Sequence, residues 1–498
     1  MKKVIVIGGG ITGLSAGIYL KLNDYDVEIL EKNMEIGGAC VGWERKGFYI
    51  DGCIHWLTGV NKKDSLYKLW RETHAITENT EIFYQDELTK YIFNGQKDLL
   101  FYADLEKCKN SLLEFAPEDK KQIKKLIRQI KCFQTINPPC DKPAELMNII
   151  DALKLIPLVW KLPIIAKTSR ISCKDLAKKF KNPQLRDILE SFMAPNYNYM
   201  SMLYMLGHIS AKDGGIPLGG SLEMSKRMEN YFLSLGGILT KNAEVEKILV
   251  EDNKAKGVRL KNGNVLNSDW VVSTTPLEHC LSALLDNVYH DKKFDIRLND
   301  YNTYPIYTYT VAVIKCPLSI KEKSLSVNVK LDEAIKLDSD YDRISFRNYS
   351  YDKTLKAKDG YFIMQATVHG NDQMYFWWKN IKDNGDYKAM KNAVGEKFLE
   401  RAKTTFKDVA DQLEVIDVIT PCTYERYLNS RHGSFQGFIH TNKGKALMQN
   451  GRLKGLKNFI LAGQWLIRSG GLPTAVMSGR FSAQRICHSD KKKFTTKI

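Results

Sequence analysis

The chain has 498 residues, 44% of them apolar, with 74 Lys and Arg against 57 Asp and Glu and a formal charge of +17. That length exceeds one small core and asks for two or more domains, with ample apolar material to fill them. The basic surplus suits an anionic membrane or a nucleic acid, but no zinc-ligand spacing and no aromatic-basic RNA-binding signature accompanies it, so nucleic acid recognition is excluded from the reading.

Residues 4–13, VIVIGGGITG, predict a strand, a tight turn and a helix, the helix carrying Leu14, Ala16, Ile18, Leu20 and Leu22. In the pattern Gly8-x-Gly10-x-x-Gly13, Gly8 supplies unusual dihedrals, Gly10 lets backbone approach a pyrophosphate, and Gly13 lets helix and strand pack closely. The helix N-terminus then offers free N–H groups and a positive dipole end to the diphosphate. A second strand, residues 26–30, ends on Glu31, eighteen residues after Gly13 and placed to accept hydrogen bonds from the hydroxyls of an adenosine ribose. Together these features predict a dinucleotide site. Gly37-Gly38 follows six residues later, at a second close approach of backbone to cofactor.

From this point the sequence resembles the FAD-dependent amine oxidase and phytoene desaturase superfamily. Residues 47–52, Gly-Phe-Tyr-Ile-Asp-Gly, with Ile54-His55-Trp56 behind them, are similar to the hairpin of its carotenoid desaturase, carotenoid isomerase and retinol saturase branch. The resemblance implies a non-covalently bound FAD. It adds Thr12, Lys32, Gly38 and Ala39 to Gly8, Gly10, Gly13 and Glu31 as cofactor-binding positions, and it assigns the backbone of Val245 to the adenine ring.

Residues 61–200 change to helical periodicity. The stretch 118–131 is basic on one face and carries Ile123, Leu126, Ile127 and Ile130 on the other, while 148–166 is apolar but broken by Lys154, Pro157, Lys161 and Pro163. Two readings stay open here: an interfacial membrane anchor, or cap helices burying their apolar faces. Residues 213–276 carry Gly214-Gly215 and Gly219-Gly220, a helix over 223–235, and strands near 244–250, 257–260 and 270–273. Residues 280–420 read as strands separated by polar loops, a sheet with one face on a cavity that Tyr375 to Trp378 line or back.

Near the C-terminus a strand over 459–462 runs into Gly463, then a loop with Ser469, Gly470, Gly471, Leu472 and Pro473, then a helix from Thr474 and Ala475. Its N-terminus suits negative charge on a reduced flavin. The family places an acidic residue after the glycine, where this chain has Gln464, and that departure leaves the contact to the ribityl and phosphate part open. No cysteine lies in this loop, so a thioether flavin is not supported.

The resemblance implies an α/β fold: a Rossmann-type FAD-binding domain built from residues 1–60, 206–279 and 426–498, a helical cap over 61–205, and an α+β substrate domain over 280–425. It implies desaturation, saturation or double-bond isomerisation, at flavin N5, of an apolar polyunsaturated substrate resembling a carotenoid, retinoid or lipid. A flavin amine oxidase acting on a small amine is the alternative. His55 is the candidate proton-transfer residue, with a satisfied core histidine as the competing reading; Trp56 and Trp465 stack near the ring or fill space. No metal site is expected. The ten cysteines are scattered without a CxxC pair, the usage of a reducing compartment, which excludes a disulfide reductase. No run of about 18 apolar residues occurs, and the first strand starts at once. The expected location is therefore the cytoplasm, with the inner membrane face as a peripheral docking surface.

Overall fold

The computed structural model describes residues 1–193, 197–289, 291–443, 448–467 and 470–496, and the structural statements below concern these. Ser469 lies outside the described residues. Residues 4–7 are a run of four β-branched side chains, all buried. Such a strand needs cover on both faces, the condition of a central parallel strand. Lys3–Ile7 accordingly sits third in a five-stranded parallel sheet of order Ile238–Thr240, Asp26–Leu30, Lys3–Ile7, Trp270–Ser273, Phe459–Leu461.

Register decides where the site falls. Ile7 pairs with Leu30 on one side and Ser273 on the other, and Ser273 pairs with Leu461. Four strands thus end together, and the residues just past them, Gly8, Glu31, Thr274 and Ala462, share one edge. Ligands of open α/β sheets bind beyond such carboxyl ends. On the face of this sheet the helices Ile11–Lys21 and Gly471–Ser489 lie side by side, close enough that a Cβ on Gly479 would come within 2.6 Å of Ser15 Cβ. Ser15 Oγ donates to the Val476 carbonyl at 2.8 Å across the same contact. The two ends of the chain are fastened to each other there.

A second, seven-stranded sheet runs in the order Glu414–Ile419, Thr308–Pro317, Tyr361–Gly370, Asp340–Asn348, Ser326–Lys336, Glu87–Ile92, Leu99–Tyr102. Two of its strands come from the stretch whose periodicity reads as helical. Residues 87–92 bury Leu88, Thr89 and Tyr91, and they pair parallel with Ser326–Lys336. A six-residue strand between long helices is too short to change the periodicity of its neighbourhood. The converse holds in the next region: Asp372–Asp383 and Tyr387–Thr405 are helices, not loops between strands. They cover one face of the sheet, with Trp378 fully buried among Phe346, Phe398 and Ala366, so Trp377 and Trp378 back the sheet while Phe376 is exposed.

The basic helix Lys120–Phe133 buries Ile123, Leu126, Ile127, Ile130 and Phe133 against Leu112, Leu203 and Leu206. Its apolar face is therefore occupied by protein, as the cap reading expects. Residues 148–166 behave differently. They form the short helices Ile149–Leu153, Ile156–Val159 and Leu162–Ser169, and they leave Ile149 80% and Trp160 85% exposed, with Ile150, Leu153, Ile156, Val159 and Leu162 beside them. No helix among the described residues is long and apolar enough to cross a membrane.

Candidate functional site

The shared strand edge opens into a cavity of about 740 Å³. At its head lies the glycine turn. Gly8 has φ +101°, and a Cβ there would strike Thr274 Oγ1 at 2.7 Å. Thr274 Oγ1 instead donates to the Ile7 carbonyl at 2.8 Å, fixing the turn from the neighbouring strand. A Cβ on Gly13 would sit 1.9 Å from the Gly8 carbonyl oxygen, so Gly13 is a packing residue and does not line the cavity. Gly10 is the opposite case. It caps the helix Ile11–Lys21 with no side-chain hydrogen bond, its Cβ position meets only ordinary contacts at 3.7 Å, and with Ile11 and Thr12 it faces the cavity. The first N–H groups of this helix are thus left for a ligand.

Glu31 is buried at the end of its strand, where Oε2 accepts from Gly9 N at 2.8 Å and Oε1 from Asn33 N at 2.8 Å. Oε1 also accepts from Asn33 Nδ2 at 2.8 Å, so it is Oε2 that keeps a lone pair for a hydroxyl. Gly37, Gly38 and Ala39 form the facing wall, tied to the turn by the Gly37 N–H, which donates to the Gly9 carbonyl at 2.9 Å. Lys32 lines the same end, but Nζ donates to Asn429 Oδ1 at 2.7 Å and the Arg426 carbonyl at 2.8 Å, and burial pulls its pKa down. Asn429 also meets His279 Nε2 at 3.2 Å, and burial lowers the His279 pKa to about 4. Val245, buried, closes this end.

The C-terminal segment forms the other wall. Gly463, Gln464, Trp465, Leu472, Thr474 and Ala475 all line the cavity. Gln464 Oε1 accepts from Gly471 N at 3.0 Å, bracing the loop against the helix Gly471–Ser489 and leaving its amide N–H groups as donors. An acidic residue would offer no donor at that point. Trp465 is buried edge-on to Phe438, with ring centroids 5.0 Å apart.

The hairpin carries the remaining candidate. Asp51 is buried and accepts from Ser221 N at 2.6 Å, Ser221 Oγ at 2.7 Å and Cys53 N at 3.0 Å, and burial raises its pKa. It caps the helix Gly220–Ser234 from outside, and Ser221 Oγ in turn accepts from Ile54 N at 2.8 Å. That lock sets the position of His55, which lines the cavity together with Cys53 and Trp56. Burial, with help from Arg347 and His369, holds the imidazole pKa well below its ordinary value, so His55 is neutral near pH 7. Beyond His55 the lining is largely apolar and comes from the cap: Phe133, Ile136, Leu158, Ile165, Met193 and Tyr204. Sequence reasoning missed Thr274, Asn429 and these cap residues, since their only signal is the partner brought to them by the fold.

Known proteins resemble this chain in sequence and fold. The NAD(P)-binding Rossmann-like domain family matches residues 6–73. The chloroplastic prolycopene isomerase of Daucus carota is 24% identical over 453 residues, covering 86% of this chain and 71% of that protein. The 1-hydroxycarotenoid 3,4-desaturase of a Flavobacterium species is 22% identical, over 98% of this chain and 99% of its own. These likenesses match the superfamily of FAD-dependent amine oxidases and phytoene desaturases. Among solved structures, cyclohexylamine oxidase from Brevibacterium oxydans IH-35A shares the fold, with a TM-score of 0.61 at 14% identity over 99% of this chain and 100% of that one.

The flavin dinucleotide that these likenesses imply fits the residues present. A Cβ-free surface at Gly10 and Gly38 meets an uncapped helix N-terminus, the buried carboxylate of Glu31 stands at the end of the neighbouring strand, and one cavity joins both to the C-terminal loop. Asp64, His208 and Asp213 form a separate buried cluster. His208 Nδ1 meets Asp213 Oδ2 at 2.6 Å and Nε2 meets the Ile136 carbonyl at 3.1 Å, so both ring nitrogens are engaged within the protein. The cluster ties the segments around residues 64, 136 and 208–213 together.

Proposed function

We propose that the protein is an oxidoreductase holding FAD non-covalently and acting on carbon–carbon bonds of an apolar, polyunsaturated substrate by desaturation, saturation or isomerisation. One observation carries this reading: the cavity that begins at the glycine turn continues, past His55, into an apolar space walled by cap side chains. Gly8, Gly10, Thr12, Gly38 and Ala39 would hold the pyrophosphate, Glu31 and Lys32 the adenosine ribose side, Val245 the adenine, and Gly463, Gln464, Leu472, Thr474 and Ala475 the flavin half. Gly13 supports the turn from behind. When bound, the flavin supplies two-electron chemistry that no side chain can.

The protein's own share is positioning and proton handling. The start of Gly471–Ser489 favours negative charge at the flavin end. Apolar cap residues exclude water. His55 offers an unprotonated ring nitrogen that can accept a proton at neutral pH. The thiol of Cys53, pushed up by its hydrogen bond to Cys40 and by burial, stays protonated and unreactive, which favours a non-covalent flavin.

The exposed apolar helices over 149–162 belong to the segment whose Leu158 and Ile165 line the cavity. That coincidence supports the reading of a peripheral seat on the inner membrane face, with substrate entering from the lipid. The chemistry is tested by incubating polyenes and amines anaerobically with oxidised and reduced holoprotein. Conversion of at least one polyene, with the matching change in flavin absorbance, is the expected result. Reaction with amines alone would overturn the reading.

A further inference from the structure

Residues 148–170 wall one side of the apolar space through Leu158 and Ile165. No backbone hydrogen bond of the described residues joins them to another part of the chain. They are held by the apolar packing of Leu158, Ile164 and Ile165 on the cap core and by two lysine contacts. Near the start of the segment, Lys142 Nζ donates to Asp151 Oδ2 at 2.7 Å. In its middle, Lys161 Nζ donates to the Thr135 carbonyl at 2.8 Å and to Thr135 Oγ1.

The Lys161 contact joins two walls of the cavity. The Lys161 N–H donates to the Leu158 carbonyl at 2.9 Å and the Ile165 N–H to the Lys161 carbonyl at 3.1 Å, a helical winding that puts Leu158, Lys161 and Ile165 on a common face. Leu158 and Ile165 line the cavity, and so do Phe133, Ile136 and Asn137 on either side of Thr135. Thr135 is exposed and Lys161 half-buried, so the contact sits where the wall meets solvent. The outward side of the same segment exposes Ile149, Ile150, Ile156, Val159 and Trp160. Its charges are Lys154, Lys161, Lys167 and Arg170 against a single acid, Asp151, which Lys142 already occupies. An apolar surface edged by such a surplus of cations matches an anionic bilayer.

Resting on the membrane seat proposed above, we infer that residues 148–170 form a lid over the apolar part of the cavity, latched by Lys161 on Thr135 and opened by anionic phospholipid. A phosphate of the bilayer takes the lysine ammonium through a charge-assisted bond, stronger than one to a neutral carbonyl. Trp160 and its apolar neighbours enter the lipid, Leu158 and Ile165 move off Ile136 and Asn137, and the cavity opens towards the acyl chains. Away from the bilayer the latch keeps it closed.

The test follows amide hydrogen exchange of FAD-loaded protein by mass spectrometry, alone and with phosphatidylglycerol or phosphatidylcholine vesicles. Phosphatidylglycerol should slow exchange over 149–162 and speed it over 133–137, each at least threefold, and phosphatidylcholine should do neither. Lys161→Met should speed exchange over 133–137 without any lipid, at unchanged FAD content. Should that variant fail to fold, Thr135→Val removes one of the latch's two acceptors and should act in the same direction. Protection of 149–162 with no change at 133–137 would overturn the lid and leave the membrane seat standing, and a Lys161→Met profile identical to wild type would overturn the latch. An equal response to both lipids would overturn the role of the anionic headgroup. No protection by either vesicle would overturn the membrane seat and this inference with it, while the redox reading is decided separately, by polyene conversion.

Discussion

Gly10 and Gly13 separate two reasons for a glycine that the sequence pattern cannot distinguish. At Gly13 an added methyl group would meet the Gly8 carbonyl at 1.9 Å, so Gly13→Ala must displace strand or helix. Overpacking of this kind costs about 1–3 kcal/mol or more, read as a lower urea midpoint. At Gly10 the backbone is ordinary, φ −73°, and the methyl has room against protein. Gly10→Ala should keep the wild-type midpoint and lose FAD, measured by flavin absorbance after purification. His55 makes a prediction in pH. Because burial and the neighbouring Arg347 depress its pKa well below the usual value, the imidazole does not titrate between pH 6 and 8. The rate should show no inflection from His55 in that window, while His55→Gln lowers it by about 10²–10⁴-fold if the ring moves the proton. An inflection near 6.5 that vanishes in His55→Gln would place the charged form in the active enzyme and contradict this.

Elements carry the next level. Asp64 caps the helix Ser65–Glu72 through Leu66 N at 2.7 Å and lies beside Asp213. Burial, then the Asp213 charge, raises its pKa from 3.8 to about 6. The folded protein then holds this proton more tightly than the unfolded chain, so the associated stability is present below about pH 4 and is lost as pH rises towards 6. Asp64→Asn keeps the cap and should flatten that part of the pH dependence of the urea midpoint. On the 149–162 segment, Val159→Ser with Trp160→Ser touches exposed side chains and should leave the midpoint within about 0.5 kcal/mol. The same variant should float with anionic liposomes less than wild type does, and unchanged flotation would remove the membrane surface from the proposal. The amphipathic pattern of 118–131 was legible because it repeats over four turns. Whether its apolar face meets lipid or protein was not, since that depends on Leu112, Leu203 and Leu206 arriving from elsewhere. Short strands such as Glu87–Ile92 hide for the same reason: their identity comes from the strand they join.

At the scale of the molecule, the parallel sheet draws on residues 3–7, 26–30, 238–240, 270–273 and 459–461, and the cavity on Ile7, Leu30 and the segments that follow these strands, together with helices from residues 61–205. The glycine turn, Glu31 and the C-terminal loop could be read from sequence because each is a local motif whose chemistry sits in adjacent residues. Thr274 bracing Gly8 and Arg347 holding the His55 carbonyl could not, because their partners lie far along the chain. The joining of these pieces into one dinucleotide site is open to a single measurement: the stoichiometry of FAD released by guanidinium from natively purified protein, with NAD as competitor. One FAD per chain, fully released and not displaced by NAD, is the expected result. Binding of NAD in place of FAD, or flavin that stays with the denatured chain, would contradict it.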